Sequence, residues 1–147
     1  MTGQAAGPVW PSAAPPRAGA GLSWELDDVA QLPALRAEVR HYAARHTRGD
    51  DRESVDLRDR LVLALDEMAS NALRHGGGSV RASLAVSGEC YLIQVTDAAA
   101  GSPPVPAVDR DPSEGGLGLY LIAELATRHG WYASGDAKQV WALLPRG

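Results

Sequence analysis

The run Leu65-Asp66-Glu67-Met68-Ala69-Ser70-Asn71-Ala72-Leu73-Arg74-His75 carries an acid, Glu67, and a carboxamide, Asn71, four residues apart. On a helix that spacing stacks the two side chains on one side. Leu57, Leu61, Leu65, Met68 and Ala72 recur every three or four residues and predict the core stripe of such a helix, which leaves Glu67 and Asn71 together on its flank. A carboxylate in that place suits a general base, and the hard oxygen of an Asn suits Mg²⁺. The pair also fits ordinary capping or solubility at a core boundary. Further along, Tyr91-Leu92-Ile93-Gln94-Val95-Thr96-Asp97 reads as a buried strand ending in an acid, with Gly101 four residues on. Beside an apolar pocket Asp97 could accept a hydrogen bond from an exocyclic amine; an Asp opening a turn is the plainer alternative. Glu114-Gly115-Gly116-Leu117-Gly118-Leu119-Tyr120-Leu121-Ile122 reads as a glycine turn opening a helix. There Gly115, Gly116 and Gly118 would let backbone N–H groups approach an anion, and the positive end of the helix would add to them. A simple helix start remains the other reading.

The elements that must position these residues are legible from periodicity. Leu22-Ser23-Trp24-Glu25-Leu26 alternates and predicts a first, edge strand, after which Asp27 or Asp28 can cap a helix. Leu32, Leu35, Val39, Tyr42 and Ala43 mark one face of that helix, Arg36, Arg40 and Arg45 face elsewhere as a solvated surface, and the end falls near Arg48-Gly49. Ser79 to Val86 and Cys90 to Asp97 predict a hairpin turning through Ser87-Gly88-Glu89. The glycine-led helix is expected to run to about His129-Gly130, with Leu119, Ile122, Leu125 and Ala126 buried. Trp131 to Ser134 and Gln139 to Leu144 then form a second hairpin through Gly135-Asp136. The expected fold is an α/β two-layer sandwich, with a mixed or antiparallel sheet of about four or five strands carrying helices on one face.

Length and composition bound the rest. A chain of 147 residues that is 45% apolar predicts one globular domain, here residues 22–147. Residues 1–21, rich in Ala, Pro and Gly, are expected to be a disordered tail. A net charge of −4 leaves no basic footprint for nucleic acid, so a protein or small molecule is the expected partner. The one cysteine, Cys90, excludes an internal disulfide framework. No apolar run reaches the roughly 18 residues of a membrane helix, and no signal-like segment opens the chain, so a soluble, cytoplasmic protein is expected. The sequence has no GxxxxGK[ST], its one lysine, Lys138, lies near the C-terminus, and GxGxxG, HRD and DFG are absent. The four histidines lack metal-ligand spacing and read as surface, capping or packing residues.

Taken in order, the segments around Glu67 and Asn71, Asp97 and Gly101, and Gly115 to Gly118 resemble the N, G1 and G2 boxes of the GHKL ATPases, the superfamily of gyrase, the heat-shock chaperone and the histidine kinases. The resemblance runs roughly from Trp24 to Leu144, and the short length and the His75 closing the first box look most like the anti-sigma factor serine/threonine kinases. It implies the Bergerat ATP-binding fold and ATP with Mg²⁺ as cofactors. By resemblance, Asn71 would hold the metal, Asp97 would read the adenine amine, the Gly116 and Gly118 amides would hold the phosphates, and Glu67 would be the catalytic base. It also implies a sigma factor and an anti-sigma factor antagonist as partners, and a dimer and sigma-factor surface on the first helix. One departure lies in the loop Asp97-Ala98-Ala99-Ala100-Gly101, where Ala99 stands at a position that many members fill with glycine. Two functions stay open: a kinase, or a catalytically silent module in which nucleotide sets partner choice.

Overall fold

Five strands pair into one antiparallel sheet, three of them legible from period-two alternation. The computed structural model describes residues 10–47, 49, 51–75, 79–98 and 117–146. Its strands are β1 (Gly21–Leu26), β2 (Val80–Ser87), β3 (Cys90–Asp97), β4 (Arg128–Ser134) and β5 (Ala137–Pro145), in the order β1-β2-β3-β5-β4. β1 is an edge strand, as its alternation predicts. Gly88 and Gly135 take positive φ, 59° and 60°, at the two hairpin turns, a conformation that costs a residue with a side chain. The register aligns apolar rows on one face: Trp24, Ala82, Val95, Val140 and Trp131 in one, Leu22, Leu84, Ile93 and Ala142 in the next.

Three helices cover that face: α1 (Leu32–His46), α2 (Arg52–His75) and α3 (Leu117–Leu125). α2 packs on β2, β3 and β5 and contacts both α1 and α3. Leu57, Leu61, Leu65, Met68 and Ala72 are all buried, and Val62, Ala64 and Ala69 widen the stripe because α2 is covered on more than one side. Its first turn is held by Asp51, whose carboxylate accepts from the Ser54 N–H at 2.8 Å. Ahead of α1, Asp28 and Gln31 form a capping box around the short turn Val29–Gln31. The buried face of α1 is the predicted set of Leu32, Leu35, Val39, Tyr42 and Ala43. Two of its arginines are engaged with α2 and not merely solvated: Arg36 pairs with Asp66 at 2.8 Å and Arg40 with Asp59 at 3.3 Å. Such partly exposed pairs orient the helices and are each worth under about 1 kcal/mol. α1 stops at His46, earlier than expected, because its last carbonyls have other donors. The His46 ring donates to Tyr42 O, Tyr91 OH to Ala43 O and Arg146 to His46 O. Thr47 completes this cluster through its hydroxyl contact with Tyr91 OH. No helix among the described residues is long and apolar enough to cross a membrane.

Two further expectations are corrected. The third helix ends at Leu125 and not near Gly130, because the Thr127 N–H donates to Leu143 O at 2.9 Å and draws the chain into the sheet. His129 and Gly130 are therefore strand residues. A Cβ at Gly130 would lie 3.0 Å from both Pro11 O and the Trp141 ring, so close approach, not helix capping, explains this glycine. The second correction concerns the described part of the expected tail. Ser12 bridges Trp131 in parallel, the Trp141 indole donates to Ala13 O at 2.8 Å, and Gly19 N–H donates to Val86 O. Residues 10–20 thus run from the β4 edge to β2, with Ala13 packed on Leu92, Trp141 and Leu143 on the face opposite the helices. Trp10 is only 3% exposed and meets the His129 ring edge-on at 4.8 Å. One buried aromatic side chain anchors a segment that otherwise offers little beyond Ala13 to bury.

Trp10→Ala is expected to lower unfolding free energy by about 3–5 kcal/mol in a denaturant titration, the usual cost of emptying an aromatic core site. Trp10→Phe should cost well under half of that, because the buried indole N–H it gives up has no hydrogen-bond partner among the described residues. Burial pushes the Tyr91 phenol above its ordinary value of 10.0, against a smaller opposing effect of the Thr47 hydroxyl. The unfolded chain ionises first, so this contribution is intact below about pH 10 and is lost as pH rises through the folded value. Tyr91→Phe should show a shallower alkaline loss of stability than the wild type in melts above pH 9.5 to 10.

Candidate functional site

The alternation that buries Tyr91, Ile93 and Val95 on the helix side of β3 continues to Asp97, the last residue of the strand. On β5 the same face carries Val140, Ala142 and Leu144, and stepping back by two reaches Lys138. The register sets Asp97 directly opposite Lys138. Both are buried, 4% and 7% exposed, and Lys138 Nζ lies 3.7 Å from Asp97 Oδ2. A charged pair thus ends an otherwise apolar face, where desolvation opposes the attraction between the charges.

α2 crosses above this end of the sheet. Met68, Asn71 and Ala72 from α2, Val95 and Asp97 from β3, Leu119 from α3, and Lys138 and Val140 from β5 line one cleft. Apolar walls with a few convergent polar groups are the usual make-up of a small-molecule site. Asn71 is half-buried, and its amide oxygen is a hard donor at the cleft wall. Glu67, about 6 Å earlier along the helix axis by the rise per residue, is half-buried on the same side but is not among the residues lining the cleft. α3 begins at Leu117, with Gly118 in its first turn, so the positive end of that helix lies by the wall that Leu119 supplies. Gly101, Gly115, Gly116 and Ala99 lie outside the described residues. The structure therefore brings together Asn71, Asp97 and the start of α3 and leaves Glu67 beside them.

The donors present fit a nucleotide with its metal. The polar edge of a base would meet Asp97 and Lys138 at the floor of this cleft, which holds only about 10 Å³, room for one water, so a base can enter only if α2 and α3 draw apart from the sheet. Among the described residues no group of three or more His, Cys, Asp or Glu could hold a metal ion. The amide oxygen of Asn71 is a hard donor of the type that Mg²⁺ accepts. A larger cavity of about 370 Å³ opens at the same end of the sheet, lined by Glu25, Arg81, Thr96, Asp97, Asp136 and others. It borders Asp97 but takes nothing from α2 or α3, so the smaller cleft is the one that gathers the candidate residues. Lys138 is the site residue that sequence motifs missed. The available signal was a charge standing where the inward alternation of Val140, Ala142 and Leu144 calls for an apolar side chain.

Comparison with known proteins agrees with this geometry. No curated protein matches the chain. One family profile, described as the histidine kinase-like ATPase domain, matches residues 27–143, from the residue before the capping box of the first helical turn to the last strand. The matched span contains α1, α2, α3, the strands β2, β3 and β4, most of β5 and every candidate residue. On that match, and on a five-stranded sheet with its helices on one face, the chain belongs to the family of histidine kinase-like ATPase domains, whose site binds ATP.

Proposed function

We propose that the chain is an ATP-dependent serine/threonine protein kinase of the anti-sigma factor type, which phosphorylates an anti-sigma factor antagonist and holds a sigma factor. The observation that carries the nucleotide part of this reading is the meeting of Asn71, buried Asp97 and the first turn of α3 around one apolar cleft. In this account Asp97 accepts a hydrogen bond from the adenine amine. The backbone amides of Gly116 and Gly118 hold the phosphate tail, and Gly101 and Gly115 are nucleotide-binding positions by the resemblance. Asn71 supplies an oxygen ligand to Mg²⁺, and the bound ion would neutralise phosphate charge. Glu67 takes the proton of a serine hydroxyl on the partner as that oxygen bonds to the γ-phosphorus of ATP and the bond to the bridging oxygen breaks, releasing ADP. Positioning and charge neutralisation carry most of such a transfer, which leaves a general base to supply about 10²–10⁴ in rate. The α1 side of the domain is the proposed surface for the sigma factor and for a homodimer.

A second reading has its own support. Glu67 stands outside the cleft lining, which suits a module that binds nucleotide without turnover and uses it to select partners. The two readings part on Glu67→Gln. A kinase that uses Glu67 as base should lose about 10²–10⁴ in phosphoserine formation on its antagonist while binding ATP as before. Phosphorylation at the wild-type rate would remove Glu67 from the mechanism, and no phosphorylation by the wild type would favour the silent module. For the site itself, ATP with Mg²⁺ at about one hundred times its Kd should add roughly 2.7 kcal/mol and raise the melting point by several degrees. Asn71→Ala should abolish the Mg²⁺-dependent part of that shift.

A further inference from the structure

Lys138 has no role in the account above, yet it is the closest charged neighbour the register gives Asp97. We propose that Lys138 is a base-reading residue, whose ammonium donates to ring nitrogen N1 of adenine while Asp97 accepts from the exocyclic amine beside it. The inference rests on the nucleotide site proposed above and assigns it a second recognition contact.

Three observations carry it. The first is position: Asp97 and Lys138 are directly paired across β3 and β5, and both line the cleft that also holds Asn71. Side chains fixed on two neighbouring strands are held in place more closely than side chains on loops. The second is complementarity. An ionised carboxylate only accepts and an ammonium only donates. Adenine carries a donor, its amine, next to an acceptor, N1, on one edge, so an acceptor beside a donor 3.7 Å apart presents the matching pair. The third is cost. Lys138 is 7% exposed in a row that is otherwise apolar at Val140, Ala142 and Leu144, and a buried ion pair commonly gives no stability advantage over apolar side chains of similar volume. A recognition role accounts for a charge where packing alone favours none. Without a donor at 138, N1 would enter an apolar slot unpaired.

The test uses the full chain and two ligands, ATP and 1-deaza-ATP, in which a C–H replaces N1. Calorimetric Kd values are compared for the wild type, Lys138→Arg and Lys138→Met. The wild type should bind 1-deaza-ATP about tenfold to a hundredfold more weakly than ATP, the usual range for a hydrogen bond to a charged group. Lys138→Arg should keep that preference. Lys138→Met should lose that preference or reverse it, because an unpaired N1 is costly to bury and the C–H of 1-deaza-ATP is not, and if it does not fold, Lys138→Ala takes its place with the same expectation. A merely structural lysine would change both affinities together and leave their ratio alone. Equal binding of the two ligands by the wild type, or a preference that survives in Lys138→Met or Lys138→Ala, overturns the assignment and leaves the nucleotide site standing. Failure of the wild type to bind ATP at all would instead remove the site on which it rests.

Discussion

The apolar stripe of α2 pressed onto β3 is the constraint on which the site depends. Burying a Leu or Met side chain is worth about 1.5–3 kcal/mol, so Leu57, Leu61, Leu65 and Met68 together represent roughly 6–12 kcal/mol as an upper bound. That is comparable to the whole stability of an ordinary domain. The stripe therefore fixes the rotation of α2, and the rotation fixes Asn71. A slip of one residue would turn the helix by about 100° and take the carboxamide out of the cleft. The pairs Arg36–Asp66 and Arg40–Asp59 lock α1 to the opposite flank but are too exposed to decide the arrangement.

The sheet contributes a second constraint, the antiparallel register of β3 and β5. Alternation carries the inward face to the ends of both strands, so the residues that end the rows, Asp97 and Lys138, face the helices whatever their polarity. Placing two charges there opposes the hydrophobic logic of the remaining rows. The chain tolerates it at the one place where α2, α3 and the sheet end together, where a ligand with a polar edge would complete the pairing.

Much of this was legible in the sequence. The five buried residues of α1, the stripe of α2 and the β2–β3 hairpin follow from local periodicity, and the structure reproduces them. The misses share a physical origin in contacts distant along the chain. Leu125 ends α3 because Thr127 finds Leu143 on another strand, which no helix propensity between 117 and 130 encodes. Residues 10–20 have no periodicity, and their order comes from Trp10 meeting His129 and from Ala13 meeting Trp141, more than a hundred residues away. Lys138 drew no role from the sequence because its partner is named only by strand register. In the site, the spacing of Glu67 and Asn71 gave their common side correctly. That only Asn71 reaches the cleft depends on where β3 ends beneath the helix.

A crystal structure of the chain with a non-hydrolysable ATP analogue and Mg²⁺ tests the location of the base most directly. The base should lie in the cleft among Met68, Ala72, Val95 and Val140, with its amine on Asp97 and the metal on Asn71. A base seated instead in the larger cavity between Glu25, Arg81 and Thr96, with Asn71 free of the ligand, would contradict it.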